Sequence, residues 1–385
     1  MGVVGFGARG ALARHAHKPG ERARVTVVAD PTERGKRKAR EIIGEDVHTV
    51  NTVDDLLGSH DVDAVMILAP DDLHASIALT TLGAGLPTFS EKPMAISVED
   101  TDAMLNLAYE KRTRLYVGHN MRHMPVIRQM KDMIDAGAIG RVRAIWCRHF
   151  VGAGGDFYFK DWHAERARAF SLLLQKGAHD IDVIHWLAGG YTRRVSGIGG
   201  LEGYGDIDDR RDNSDRIMWD WFDADIFPPS KQRELNPVID VEDISMLHMT
   251  LDNGVYASYQ QCHFTPDYWR NYTVIGDEGR IENMGDNAGD QIYLWNSRHS
   301  GAARPDQVEV ITRADGGHGG ADPRLINEFL EFARNGGRTD VSVIAAREAV
   351  ATGVYGALSI RSGGQMLEVP PVPAKIREYF DSGQA

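Results

Sequence analysis

The chain has 385 residues, of which 55 are aspartate or glutamate and 43 are lysine or arginine, so its formal net charge is −12. This length exceeds what one hydrophobic core usually organises, and we therefore expect two domains. The acidic balance argues against a nucleic-acid or membrane-surface partner and favours a small molecule.

The first third of the chain alternates short apolar strands with helical patterns. The candidate strands are residues 3–4, 25–29, 64–69, 87–90 and 115–117. Residues 98–111 place Val98, Met104, Leu105 and Ala108 at helical spacing. This alternation is typical of a parallel sheet covered on both faces, so we predict an α/β domain with a doubly wound parallel sheet over residues 1–122.

The remainder of the chain has longer strand patterns and fewer helices. Helices are predicted near residues 126–134 and 172–187, and strands at 142–150, 244–251, 255–262 and 271–275. We expect an α+β domain over residues 123–385 for substrate binding and oligomer formation, with a mostly antiparallel sheet that leaves one face open. A helical pattern at 344–360 could return to the first domain, and 202–213 and 315–322 are predicted loops.

A glycine turn follows the first strand and precedes a helical pattern. Gly5, Gly7 and Gly10 have the spacing G-x-G-x-x-G. In this context Gly5 makes the tight turn, Gly7 lets the backbone approach a pyrophosphate, and Gly10 allows close helix packing. The pattern predicts a Rossmann dinucleotide site built from the whole turn, which is Gly5, Phe6, Gly7, Ala8, Arg9 and Gly10. The alternative is an ordinary turn that contains three glycines.

Asp30 ends the second strand, about twenty residues after the glycine turn. A carboxylate there can accept hydrogen bonds from a ribose diol and repel a 2′-phosphate, so NAD is favoured over NADP. NADP stays open because a basic cluster follows, in which Arg34 could contact a 2′-phosphate. The cluster comprises Arg34, Lys36, Arg37, Lys38 and Arg40, and its alternative role is a solvated helix face.

Four further motifs follow along the chain. They are Ala69-Pro70-Asp71-Asp72-Leu73-His74, Glu91-Lys92-Pro93, Gly118-His119-Asn120-Met121-Arg122 and Gly177-Ala178-His179-Asp180-Ile181-Asp182. Over nearly its whole length the sequence resembles the Gfo/Idh/MocA oxidoreductases, named for glucose-fructose oxidoreductase and inositol dehydrogenase. The resemblance implies NAD(P)-dependent oxidation of a sugar- or polyol-type substrate, with Lys92 as a catalytic residue. It also implies cofactor contacts from Ala69, Pro70, Asp71, His74, Glu91 and Lys92.

Position also singles out Lys92 and His179. Ligands of open α/β sheets bind beyond the carboxyl ends of the strands, where Lys92 could stabilise the alkoxide that develops as hydride leaves carbon. His179 is the candidate general base, because imidazole titrates near neutral pH. Asp182 shares a helical face with His179 and could orient the imidazole or contact substrate. A surface lysine and a buried structural histidine are the alternatives.

One position departs from the family pattern. Four residues before His179, where many family dehydrogenases carry aspartate, this chain has Gln175, followed by Lys176. Because Gln175 cannot ionise, proton transfer uses His179 differently or involves Lys176, which could instead bind the substrate.

Further substrate contacts are predicted from Arg122, Tyr158 and His163, whereas Trp162 could close over nicotinamide or stack on a sugar. Ion pairing and core packing are the alternatives. The segment around Tyr158 also resembles the branch of the family with NAD-dependent glycosidases, so a redox-neutral glycosidase or lyase with tightly bound NAD is one alternative function. A non-catalytic dinucleotide-binding sensor is another.

The cysteines and histidines do not point to metal binding. Cys147 and Cys262 are the only cysteines, and His179, Asp182 and His185 lack the spacing of a zinc site, so we predict no metal. Because no apolar run reaches the roughly 20 residues of a membrane span and no signal peptide is recognisable, we expect a cytoplasmic protein. Analogy with the family predicts a homo-oligomer, either a dimer or a tetramer.

Overall fold

The structure is a computed structural model that describes residues 1–21, 23–59, 61–223, 225–298 and 304–384. Contacts between residues divide the chain into two compact units. The first unit comprises Met1–Asn120, Asp322–Val350 and Val372–Ala385, and the second comprises Met121–Ala321 and Ala351–Pro371. The sequence predicts one boundary at 122/123, whereas in the structure two C-terminal segments belong to the first unit.

The secondary structure has strands and helices of very different lengths. The strands are β1 (Gly2–Val4), β2 (Val27–Ala29), β3 (His48–Val50), β4 (Val65–Ile67), β5 (Thr88–Ser90), β6 (Leu115–Val117), β7 (Val142–Phe150), β8 (Thr192–Gly200), β9 (Ile244–Leu251), β10 (Tyr256–Cys262), β11 (Trp269–Gly276), β12 (Arg280–Met284), β13 (Gln291–Trp295), β14 (Gln307–Val310) and β15 (Leu367–Glu368). The α-helices are α1 (Glu33–Ile43), α2 (Val53–Leu57), α3 (His74–Gly83), α4 (Val98–Lys111), α5 (Pro125–Asp135), α6 (Gly154–Phe157), α7 (Arg166–Ala169), α8 (Leu172–Gln175), α9 (Gly177–Ala188), α10 (Gly317–Asn335), α11 (Val343–Arg361) and α12 (Ala374–Ser382).

The first unit contains a six-stranded parallel sheet in the order β3-β2-β1-β4-β5-β6. This order is that of a Rossmann fold and confirms the predicted doubly wound sheet. Val3, Val28, Met66 and Phe89 of the strands are buried in one core with Phe329 of α10. The segment after residue 321 therefore joins the first unit because its apolar side chains complete that core.

Helix starts in this unit follow from local capping. The Thr32 side chain accepts a hydrogen bond from the Gly35 N–H at the start of α1. Ser97 accepts one from the Asp100 N–H at the start of α4. Such caps satisfy backbone donors that a helix start leaves without partners, and each contributes about 1 kcal/mol.

The second unit contains a nine-stranded sheet in the order β14-β13-β12-β11-β7-β10-β9-β8-β15. All neighbouring strands are antiparallel except β7 and β10, which confirms a mostly antiparallel sheet. Along β7, Ile145, Cys147 and His149 are buried, whereas Trp146 and Arg148 between them are exposed. Because α9 packs against β7 and β10, the sheet has one covered face and one open face.

Several elements differ from the sequence prediction, and three of them are informative. The helix expected at 172–187 is interrupted at Lys176, so α8 and α9 are separate. Strand β8 was not predicted, because its glycines at 197, 199 and 200 weaken the strand pattern. The expected loop at 315–322 overlaps α10, yet its His318, Gly319 and Gly320 have φ values of 52°, 61° and 84°, so the regular helix starts only after them.

Helix α11 has the length and apolar composition of a membrane span, and 83% of its apolar stretch is buried in the structure. The core helix of a soluble protein meets the same criteria of length and composition. The burial of α11 is that of a helix packed in the interior of the fold.

Candidate active site

The predicted site residues are divided between the two units. The first unit carries those expected at the cofactor, which are Gly5, Phe6, Gly7, Ala8, Arg9, Gly10, Asp30, Arg34, Ala69, Pro70, Asp71, His74, Glu91 and Lys92. The second unit carries Arg122, Tyr158, Trp162, His163, Lys176, His179 and Asp182.

The three glycines of the turn after β1 differ in what requires them. Gly5 has a φ of 86°, and a Cβ there would lie 2.7 Å from the Ala69 backbone. At Gly10 a Cβ would lie 2.6 Å from a ring carbon of Phe6. At Gly7, by contrast, a Cβ would meet no described atom within 4 Å. The fold itself therefore requires Gly5 and Gly10, whereas Gly7 leaves a cradle that fits the close approach of a pyrophosphate.

Asp30 connects the end of β2 to this turn. Its carboxylate is buried and accepts hydrogen bonds from the Phe6 N–H at 2.7 Å and from the N–H and hydroxyl of Thr32 at 2.8 and 2.6 Å. A Cβ at Gly35 would lie 2.2 Å from the carboxylate carbon, so only glycine there lets Asp30 fold inward. The residue thus braces the glycine turn, a role that its position at the strand end did not predict.

The basic residues after Asp30 are largely engaged within the first unit. Lys38 donates a hydrogen bond to the Gly7 carbonyl at 3.1 Å. Lys36 pairs with Glu33 at 2.8 Å, and Arg40 donates to Thr49 at 2.6 Å. In the structure it is therefore Lys38 that contacts the glycine turn. The residue of this cluster that was predicted to contact the cofactor is Arg34.

Arg9 links the glycine turn to the Glu91-Lys92-Pro93 motif. Its guanidinium donates to Glu91 at 2.7 Å and to Asp322 at 3.4 Å. Burial acts to lower the pKa of Arg9, but the two carboxylates outweigh it and raise that pKa above its ordinary value. Glu91 also accepts the Lys92 N–H at 2.8 Å, so the carboxylate fixes the backbone of Lys92 just beyond the end of β5.

His74 holds two segments of the same edge together. Its ring nitrogens lie 2.7 Å from the Pro93 carbonyl oxygen and 2.9 Å from the Ala69 carbonyl oxygen, and the side chain is buried. The structure therefore gives His74 two backbone contacts that position the residues following β4 and β5. Lys92 itself is half-buried at this edge.

In the second unit, Arg122 and Asp182 bind each other. Two hydrogen bonds of 2.7 Å join the Arg122 guanidinium to both oxygens of Asp182, and both side chains are buried. The guanidinium also lies over the Trp186 ring at 5.4 Å. Arg122 therefore forms a buried ion pair with Asp182, whose carboxylate was predicted to orient the His179 imidazole or to contact substrate.

Several of the predicted substrate residues cluster around Tyr158. The Lys176 ammonium lies 5.8 Å from the centre of the Tyr158 ring, and the His163 ring lies 5.4 Å from it. Trp162 stacks on His163 at 3.7 Å, and Asp161 hydrogen-bonds the His163 ring. His179 lies half-buried in the first turn of α9, which begins directly after Lys176.

Asp180 is a buried charge to which the sequence patterns assigned no role. Its carboxylate accepts hydrogen bonds from His149 and Tyr259 at 2.9 Å and from Tyr272, and it pairs with Arg270 at 3.1 Å. Burial acts to raise the pKa of Asp180, but Arg270 and His149 hold it below the ordinary value. The sequence contains a signal for this network. Alternation along β7, β10 and β11 places the polar partners of Asp180 on the covered face of the sheet, where a buried charge could meet them.

The protonation of His149 follows from its two partners. Arg270 can only donate, so the His149 nitrogen that it contacts at 3.3 Å is an acceptor, and the other ring nitrogen donates to Asp180. The imidazole is therefore neutral. Burial lowers the pKa of His149 to about 3, and Arg270 acts in the same direction. This network fixes α9 against the sheet and with it the backbone beside His179.

Comparison with known proteins identifies the family of this chain. Residues 1–119 match the model of the oxidoreductase family with an NAD-binding Rossmann fold, and residues 127–282 match the GFO/IDH/MocA C-terminal domain. The chain belongs to the Gfo/Idh/MocA oxidoreductase family. Its first unit is accordingly an NAD-binding domain, and the protein is an enzyme of the NAD(P)-dependent sugar or polyol oxidoreductase family.

Individual relatives are more distant or match only part of the chain. Inositol 2-dehydrogenase 1 of Saccharopolyspora erythraea is 32% identical over 51% of this chain and 56% of its own length. The 2,7-anhydro-N-acetylneuraminate hydratase of Mediterraneibacter gnavus is 31% identical over 54% of this chain and 55% of its own length. The structure of levoglucosan dehydrogenase in complex with NADH and levoglucosan superimposes with a TM-score of 0.75 at 19% identity, covering 96% of this chain and 98% of that one, and supports the fold.

Proposed function

We propose that this member of the family oxidises a secondary hydroxyl group of a sugar- or polyol-type substrate with NAD. The observation that carries the proposal is the fixed Lys92 backbone beyond β5, which Glu91 holds beside the glycine turn through Arg9. A cationic group at the carboxyl edge of a parallel sheet is suited to act on a substrate oxygen there.

The chemistry is divided among a few residues of the chain. Bound NAD supplies the hydride acceptor. The Lys92 ammonium donates a hydrogen bond to the reacting oxygen and stabilises its developing negative charge. His179 accepts the hydroxyl proton. Lys176 and Tyr158, which lie together in the second unit, bind the remaining hydroxyl groups of the substrate.

Cofactor selection is part of the proposal. The inward-folded Asp30 retains oxygen lone pairs that can accept from a ribose diol, and its charge disfavours a 2′-phosphate, so NAD is the cofactor and NADP the weaker alternative. Arg34 is the residue through which NADP would bind.

The test is NADH formation on a panel of free sugars, polyols and aryl glycosides. We expect Lys92→Met to lower kcat at least about 100-fold while NAD still binds, because a charge that stabilises the transition state is removed. Lys111→Met, at an exposed position at the end of α4, is the matched control. Unchanged turnover in the Lys92 variant would contradict the assigned role.

A redox-neutral reaction is the second candidate. Gln175 stands where many family dehydrogenases carry aspartate, and a partial relative is a hydratase of an anhydro sugar. This candidate predicts that NAD stays bound through purification and that aryl glycosides release their aglycone, or anhydro sugars gain water, without net NADH. Stoichiometric NADH from the same substrates would reject it.

The open face of the second unit's sheet is the proposed interface of a homodimer or tetramer in the cytoplasm. Trp146, Ile198 and Tyr256 are 51%, 64% and 67% exposed on it, and Trp146, Tyr256 and Met366 line a groove of about 800 Å³. Large exposed apolar surfaces of this kind mark association sites. We expect Trp146→Glu with Tyr256→Glu to give a smaller species in light scattering after gel filtration, and Lys111→Glu to leave the mass unchanged.

A further inference from the structure

Asn120 lies at the carboxyl edge of the Rossmann sheet, three residues beyond the end of β6, and is buried. Its amide N–H donates to Asp322 at 2.9 Å. Because a carboxylate only accepts, this bond fixes the side-chain amide with its carbonyl oxygen pointing away from Asp322. Among the residues that the structure describes, that Oδ1 atom has no hydrogen-bond partner.

A buried acceptor without a donor is costly to a fold, and such atoms concentrate where a ligand supplies the missing partner. The surroundings of Asn120 indicate which ligand. Asp322 also binds Arg9 of the glycine turn, and Arg9 binds Glu91 beside Lys92. One connected set of polar side chains therefore joins Asn120 to the residues at the nucleotide edge of the sheet.

The strand order gives the direction in which a bound dinucleotide runs. The glycine turn follows β1 and Asp30 follows β2, so the adenosine half belongs to the β1-β2-β3 side. The nicotinamide half then belongs to the β4-β5-β6 side, where Lys92 and Asn120 follow β5 and β6. The carboxamide of the nicotinamide ring carries two N–H donors.

We propose that the Asn120 Oδ1 atom accepts a hydrogen bond from the nicotinamide carboxamide and orients the ring. The assignment rests on the proposed use of NAD. Asp322 acts as a positioning residue, because it fixes which end of the Asn120 amide faces the ligand.

The experiment is isothermal titration calorimetry of the full chain with three nucleotides. NAD carries the carboxamide, 3-acetylpyridine adenine dinucleotide replaces its NH₂ with a methyl group, and ADP-ribose lacks the ring. Asn120→Leu removes the acceptor at similar volume, and Asn106→Leu makes the same change at an exposed position of α4. We expect Asn120→Leu to weaken NAD about 3- to 10-fold, the range of one neutral hydrogen bond, and to leave ADP-ribose and the acetylpyridine analogue unchanged.

The outcomes separate this assignment from the proposed function. If the wild type binds NAD and ADP-ribose but Asn120→Leu weakens both equally, or neither, the assignment is overturned while the nucleotide site stands. If the wild type binds no nucleotide, both are overturned. If Asn120→Leu does not fold, calorimetry of the wild type still tests the assignment. Equal affinity for NAD and the acetylpyridine analogue would exclude a hydrogen bond donated by the carboxamide and would overturn the proposal.

Discussion

Replacing Asp182 with leucine would leave the Arg122 guanidinium buried without its two-oxygen partner. Both hydrogen bonds of the pair are 2.7 Å long, and the exposed fractions of the two side chains are 6% and 2%. At such burial, removing one partner costs about 3–5 kcal/mol, because the remaining charge keeps its desolvation penalty. Replacing both by apolar residues removes that penalty, so the double variant costs far less than the sum.

A double-mutant cycle measures this coupling. The variants are Asp182→Leu, Arg122→Met and their combination, and the free energy of unfolding in urea is followed by tryptophan fluorescence, to which Trp186 beside the pair contributes. We expect a coupling free energy of at least about 2 kcal/mol. Additive effects below about 1 kcal/mol each, with a raised KM for Asp182→Leu, would refute the reasoning. That result would support the predicted contact between Asp182 and the substrate.

Three further outcomes follow from the structure. Burial lowers the pKa values of His149 and His185 to about 3. The unfolded chain takes up these protons near pH 6.5, whereas the folded protein does not. The contribution of each histidine to stability is therefore complete above pH 6.5 and falls by roughly 1.4 kcal/mol per pH unit as the pH drops towards 3. Urea melts from pH 7 to 5 check this, and equal midpoints would contradict it. Gly10→Ala drives a methyl group against Phe6 and should destabilise the protein without ligand by about 1–3 kcal/mol, which a thermal melt measures. Gly7→Ala meets no described atom, so its melt should match the wild type while NAD binding by calorimetry weakens; unchanged affinity would show that the cradle holds no phosphate.

Elements with strong periodicity were predicted to the residue. The predicted bounds 98–111, 142–150 and 244–251 coincide with α4, β7 and β9. Buried and exposed positions alternate along β7 and β9, and buried positions recur at helical spacing along α4. Such periodicity is local information. By contrast, β3 is a half-exposed edge strand with a weak pattern. The return of α10 to the first unit depends on Phe329 meeting strands more than 200 residues away, a contact that no local pattern encodes.

The sequence predicts where the candidate residues lie in the fold better than it predicts which groups their side chains contact. Motifs at strand ends located Gly5, Asp30 and Lys92, because the carboxyl edge of a parallel sheet is fixed by topology. What each side chain binds depends on tertiary geometry. Asp322 reaches Arg9 across more than 300 residues of sequence, and Asp180 rather than Asp182 lies at the centre of the buried network.

The inward carboxylate of Asp30 limits how cofactor preference can be redesigned. Exchanging Asp30 for a small neutral residue to admit NADP would leave the Phe6 and Thr32 N–H groups without their acceptor and open a gap beside Gly35. A hydroxyl-bearing side chain at position 35 could fill that gap, but only after the carboxylate is gone. Positions 30 and 35 therefore form a pair that has to be varied together in a mutant library, and single-site screens at either position would score both as intolerant.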